Sequence, residues 1–124
     1  MDIAVLTFDG FNELDSFIAS GILNRMKEFG WNVQITSPTE SVTSMNGVTI
    51  KSQQPLEFAN TADAVLFGSG LLTRDIAQDD KLLSRLNLNR QFRRKTFWPT
   101  ENRCCCSGCL WCSCVTVRRA KVRD

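Results

Sequence analysis

The stretch Asp2–Gly30, "DIAVLTFDGFNELDSFIASGILNRMKEFG", decides the fold. "DIAVLTF" is a nearly continuous apolar run containing Val and Ile and bounded by Asp9-Gly10, the pattern of a strand buried on both faces of a parallel sheet. The residues after it change period. Leu14, Phe17, Ile18, Ile22, Met26 and Phe29 fall near one face of a helix, with Asn12 as N-cap, Asp15 in the first turn and Gly30 as the stop. "WNVQIT" then alternates and ends at Ser37-Pro38, so residues 1–36 read as one βαβ unit with a right-handed crossover.

Working outward, "VTSMNGVTIKS" carries Asn46-Gly47 between two β-prone runs, a strong short-range hairpin signal. "ADAVLFGSG" is a further buried strand ending in a Gly-Ser-Gly turn. In "TRDIAQDDKLLSRL", Ile76, Leu82, Leu83 and Leu86 follow at roughly helical spacing. The alternation implies an α/β fold with a doubly wound parallel sheet. From about Asn89 the pattern stops. Residues 1–89 hold six Lys/Arg against eleven Asp/Glu, a net of −5, while residues 90–124 hold nine against two, a net of +7. All six cysteines lie between Cys104 and Cys114, so no disulfide framework supports the body of the fold.

No run is long and apolar enough for a signal or a membrane span, and the chain reads as soluble and cytoplasmic, with no membrane partner. The glycine turn lacks the patterns that cradle phosphates, so no cofactor is indicated.

"MDIAVLTFDGFNELDSFIASGIL", "SMNGVTI" and "ADAVLFGSGLLTRDI" resemble the ThiJ/PfpI superfamily, also called class I glutamine amidotransferase-like, and most nearly the branch of isocyanide hydratases and AraC-type regulator sensor domains. The resemblance covers residues 1–89. It implies a flavodoxin-like fold, here incomplete, and in the enzymes a cysteine nucleophile on a strand-to-helix elbow. "FDGFNELD" matches the pattern that carries the family's acid onto Asp15, and the oxyanion-hole positions fall on the amides of Ser69 and Gly70. A small electrophile, an isocyanide or a reactive carbonyl compound, is the implied substrate. A homodimer is the implied assembly, and enzyme and sensor module both stay open.

The chemistry of the residues agrees. A first-turn carboxylate is favoured by the helix dipole, and adjacent parallel strands converge at the crevice where α/β folds bind ligands, so Asp15 and the Gly68-Ser69-Gly70 turn should face each other. Glu13 reads as a solvated first-turn acid.

The basic, Cys-rich segment 90–124 admits four readings. Cys106-Ser107-Gly108 spells the family's nucleophile triplet, yet "WPTENRCC" and "CLWCSCVTVRR" supply neither the strand nor the helix of an elbow. Cys106, Cys109 and Cys112 are spaced as ligands of a soft metal, but without histidine or a distant fourth ligand. Arg93, Arg94 and Lys95 with Trp98 and Trp111 have the composition of a nucleic-acid contact, though nothing organises them on an element, and a disordered tail is the preferred form of that reading. The fourth is out-of-frame translation: cysteine codons begin TG, and reading one base later turns most of them into Ala or Val. The abrupt switch in charge, cysteine content and periodicity favours it. On that reading the product is a partial domain, marginally folded and aggregation-prone.

Overall fold

Why the opening run is a strand buried on both sides is visible in its alternation. Ala4 and Leu6 point into one core with Phe8, Leu56, Ala59, Ala62, Val65 and Leu86, whereas Ile3 and Val5 point into the other with Val33 and Ala64. The structure, a computed structural model, describes residues 1–87 and the strand Cys114–Val117. The chain forms β1 (Asp2–Leu6), a helical segment 14–29, β2 (Asn32–Ser37), the hairpin β3 (Ser41–Thr43) and β4 (Thr49–Lys51), β5 (Gln54–Pro55), a 3-10 helix Leu56–Asn60, β6 (Ala64–Phe67), two short helices α2 (Thr73–Gln78) and α3 (Asp80–Arg85), and β7 (Cys114–Val117).

The main sheet has the order β5-β2-β1-β6-β7. β5, β2, β1 and β6 run parallel, with β1 paired to β2 from Asp2↔Asn32 to Leu6↔Thr36 and to β6 from Ile3↔Ala64 to Leu6↔Phe67. This is the α/β, flavodoxin-like arrangement expected from the sequence. The hairpin forms around Gly47, whose φ of 84° only glycine adopts readily. No helix among the described residues is long and apolar enough to cross a membrane.

Four features differ from the sequence reading. The helix after β1 is not uniform: Leu14–Ile18 is a π turn, Ala19–Leu23 (α1) is α, and Asn24–Phe29 is 3-10 before Gly30 stops it at φ 79°. Its apolar face is exposed, with Ile22 58% and Phe29 74% accessible, and Leu23 is the side chain that packs against the sheet. The segment expected as one helix after β6 breaks at Asp79, which leaves helical geometry and accepts the Lys81 and Leu82 N–H groups at 3.0 and 3.1 Å, capping α3. Lastly, Cys114–Val117, in the segment read as failing to supply a strand, pairs antiparallel with β6 from Ala64↔Val117 to Phe67↔Cys114. A β-branched run against an open sheet edge accounts for that pairing. Cys106, the Cys106/Cys109/Cys112 spacing and the basic cluster at Arg93 to Lys95 lie outside the described residues.

Candidate functional site

β1 and β6 are adjacent and parallel, so the loops leaving their carboxyl ends come out side by side. From β1 the chain runs through Thr7 to Glu13 into the helix, and from β6 through Gly68, Ser69 and Gly70. The backbone of Phe11 lies between two neighbours, bridged to Gly70 on one side and to Ser44 on the other. The Asn12 N–H donates to the Ser69 carbonyl at 2.9 Å and the Leu71 N–H to the Gly10 carbonyl at 2.9 Å. Gly70 has to be glycine here: a Cβ would stand 2.6 Å from the Gly10 carbonyl oxygen and 3.0 Å from Phe11 Cα. At Gly68 a Cβ would meet Ser16 Oγ at 3.0 Å.

This close approach brings Asp15 onto Ser69. The Ser69 N–H donates to Asp15 Oδ2 at 3.1 Å, and the Ser69 hydroxyl donates to the same oxygen. Asn12 fixes the entry to the helix, its Oδ1 accepting the Leu14 N–H at 3.1 Å, and its Nδ2 reaches Ser69 Oγ at 3.5 Å. Three of the four residues singled out from sequence, Asp15, Ser69 and Gly70, are therefore together; the fourth, Cys106, is outside the described residues. One detail differs from the expected arrangement. The Ser69 amide, expected as an oxyanion donor, is spent on the Asp15 carboxylate, whereas the Gly70 amide takes part in neither bond of its bridge to Phe11. The Ser69 hydroxyl was not anticipated from sequence, because a serine in a glycine turn has no pattern that names its partner.

Beside the turn lies a cavity of about 190 Å³. Leu6, Phe8, Phe11, Phe67, Ile76 and Leu86 supply much of its wall, and Gly68, Ser69 and Gly70 border it, while Asp15 stands behind Ser69 and is not part of the lining. Such a space is smaller than a drug-sized pocket and mostly apolar, with Asp9, Ser69 and Thr73 as the polar side chains of its lining.

No protein-family model matches the chain, and no curated protein matches it. Among solved structures, oxidized DJ-1 of Toxoplasma gondii is similar with a TM-score of 0.51 at 20% identity, covering 68% of this chain and 47% of that one. A DJ-1 superfamily protein from Agrobacterium tumefaciens gives 0.51 at 20% identity with the same coverages. A cysteine-to-alanine mutant of a DJ-1 superfamily protein from Salmonella typhimurium gives 0.54 at 18%, covering 68% and 47%. The fold of this chain is similar to the corresponding part of these DJ-1 superfamily structures. The chain spans about half the length of these DJ-1 superfamily structures.

Glu13 is not the solvated acid expected. Its Oε1 accepts the Ser44 hydroxyl at 2.6 Å and its Oε2 accepts Asn46 Nδ2 at 2.9 Å, tying the hairpin to the start of the helix. The Ser44 hydroxyl first, then the backbone at Glu13 and the Asn46 amide, hold its carboxyl below the ordinary value of 4.5. A depressed folded value means that the clamp contributes stability above the unfolded value and loses it as pH falls through the folded one. The Asn46 and Val48 amide resonances are therefore expected to move at a midpoint below 4.5, and that titration should vanish in Glu13→Gln. An unaltered titration in the variant would show that another group is responsible.

Proposed function

We propose that Asp15, Ser69 and Gly70 are the acid and amide part of a ThiJ/PfpI-type site for small electrophiles, of the isocyanide-hydratase kind, and that this chain binds such molecules without turning them over. The observation that carries the reading is the Asp15 carboxylate seated on Ser69 at the carboxyl edge of β1 and β6, beside a small apolar cavity. In a complete site of this kind a cysteine thiolate would attack the electrophilic carbon, Asp15 would move a proton through the Ser69 hydroxyl, and the Gly70 amide would hold developing negative charge. Cys106 is the residue whose triplet fits the nucleophile, but its flanking sequence supplies no elbow to aim it.

A second reading, a sensor module of the AraC-regulator type, draws support from the Ser69 amide. That donor is already satisfied by Asp15 and is not free for an oxyanion. Both readings imply a cytoplasmic domain comprising residues 1–89. The exposed Leu14, Ile18, Ile22 and Phe29 side chains support a homodimer within either.

The test is to titrate the 124-residue chain with methylglyoxal and with a small isocyanide, following the Ser69 and Gly70 amide resonances and product formation together. Saturable shifts at these amides without turnover are the expected result. Asp15→Asn keeps the shape and removes the charge that holds Ser69 at the cavity, and should weaken binding by about tenfold, the lower end of what a hydrogen bond to a charged group is worth, about 1.5–3 kcal/mol, because Asp15 acts through Ser69. Turnover abolished by both Asp15→Asn and Cys106→Ala would overturn the inactive form and establish a working enzyme. No shift at either amide would remove the site altogether.

A further inference from the structure

Asn46-Gly47 stands at the tip of the hairpin, both residues exposed, with nothing within 4 Å of where a Cβ on Gly47 would be. An Asn followed by Gly is open to self-modification because no side chain shields the next backbone nitrogen. The Gly47 nitrogen attacks Asn46 Cγ and loses its proton to solvent base. The new N–Cγ bond replaces Cγ–Nδ2, and ammonia departs. Water then opens the cyclic imide at either carbonyl, leaving Asp or isoaspartate. Two contacts on this hairpin oppose the attack. Asn46 Nδ2 donates to Glu13 Oε2 at 2.9 Å, and the Gly47 N–H donates to the Ser44 carbonyl at 3.1 Å.

We propose that Asn46 is a deamidation site latched by Glu13, and that its conversion releases the hairpin from the loop that leads into the helix carrying Asp15. The side chain has to leave Glu13 before Cγ can meet the Gly47 nitrogen, so the latch sets the rate. After conversion a carboxylate replaces the amide donor and faces the Glu13 carboxylate, turning an attraction into a like-charge contact. The strain falls on the bonds holding the hairpin to the neighbouring loop, Met45 N–H to the Phe11 carbonyl at 2.9 Å and Gly10 N–H to the Thr43 carbonyl at 2.7 Å. Phe11 is also the residue bridged to Gly70, so loosening it reaches the rim of the cavity.

The experiment incubates the full chain in mildly alkaline buffer at physiological temperature and maps Asp and isoaspartate by peptide mass analysis. The folded chain should convert at position 46 more slowly than the chain in urea, and Glu13→Ala should speed conversion several-fold. Because that variant could act by unfolding, Asn46→Asp is measured separately by hydrogen exchange. Several-fold faster exchange at Gly10 and Met45, with the β1 amides unchanged, is expected. Absence of conversion in the folded chain while the urea-treated chain converts fully would overturn the proposal, as would unchanged exchange in Asn46→Asp.

Discussion

Leu6→Ala is expected to lower the stability of the domain by about 2–5 kcal/mol, enough to leave much of the chain unfolded if its stability is at the low end of the usual range. Leu6 is 0% accessible and sits in the middle of the larger core, between the sheet and the 3-10 helix that brings Leu56 and Ala59 over it. It pairs with Thr36 on one side and Phe67 on the other, so the backbone around it is held in two ladders and cannot collapse into the space left behind. Rigid surroundings put the cost in the upper part of that range. Urea unfolding followed by circular dichroism reads the effect as a lower midpoint with an unchanged slope. A midpoint equal to the parent's would mean that β1 is not the central strand.

Gly70→Ala should cost about 1–3 kcal/mol and move the site as well. The atoms a Cβ would strike are the Gly10 carbonyl oxygen at 2.6 Å and Phe11 Cα at 3.0 Å, both backbone, and neither is able to swing aside as the end of a long side chain would. The two loops must part, which stretches the Leu71 N–H bond to Gly10 and the Asn12 N–H bond to Ser69 and draws Ser69 off Asp15. Gly21 is the control. It lies in α1 with nothing within 4 Å of its would-be Cβ, so Gly21→Ala should stabilise the chain by roughly 0.5–1 kcal/mol through helix propensity alone. Comparable unfolding midpoints for the two variants would contradict the close approach of the loops.

The contrast between these glycines bears on what can be read without a structure. β1 is legible because burial on both faces leaves an uninterrupted apolar run, and Gly30 is legible because helix ends need a residue that accepts positive φ. The meeting of Asp15 with the glycine turn follows from strand order alone, since parallel neighbours deliver their following loops to one edge. Other features depend on partners far along the chain. Glu13 looks like any first-turn acid until Ser44 and Asn46 arrive from a hairpin more than thirty residues later. β5 is two residues, one of them proline, and is a strand only because β2 offers it Thr36 and Ser37. At Asp79 a local contest decides: spacing favours one continuous helix, but a carboxylate that can cap the next turn breaks it in two. The apolar face of the helix after β1 satisfies the spacing rule, yet periodicity says only that a face exists, not what covers it.

The measurement closest to the centre of the account is the Ser69 amide resonance in the parent chain and in Asp15→Asn and Asp15→Ala. With Asp15 accepting both the Ser69 N–H and its hydroxyl, both variants should move the Ser69 resonance strongly and Asn12 with it, while the β2 and β5 amides stay in place. A Ser69 resonance indifferent to both substitutions would mean that the carboxylate does not meet the turn, and the site built on that meeting would fall with it.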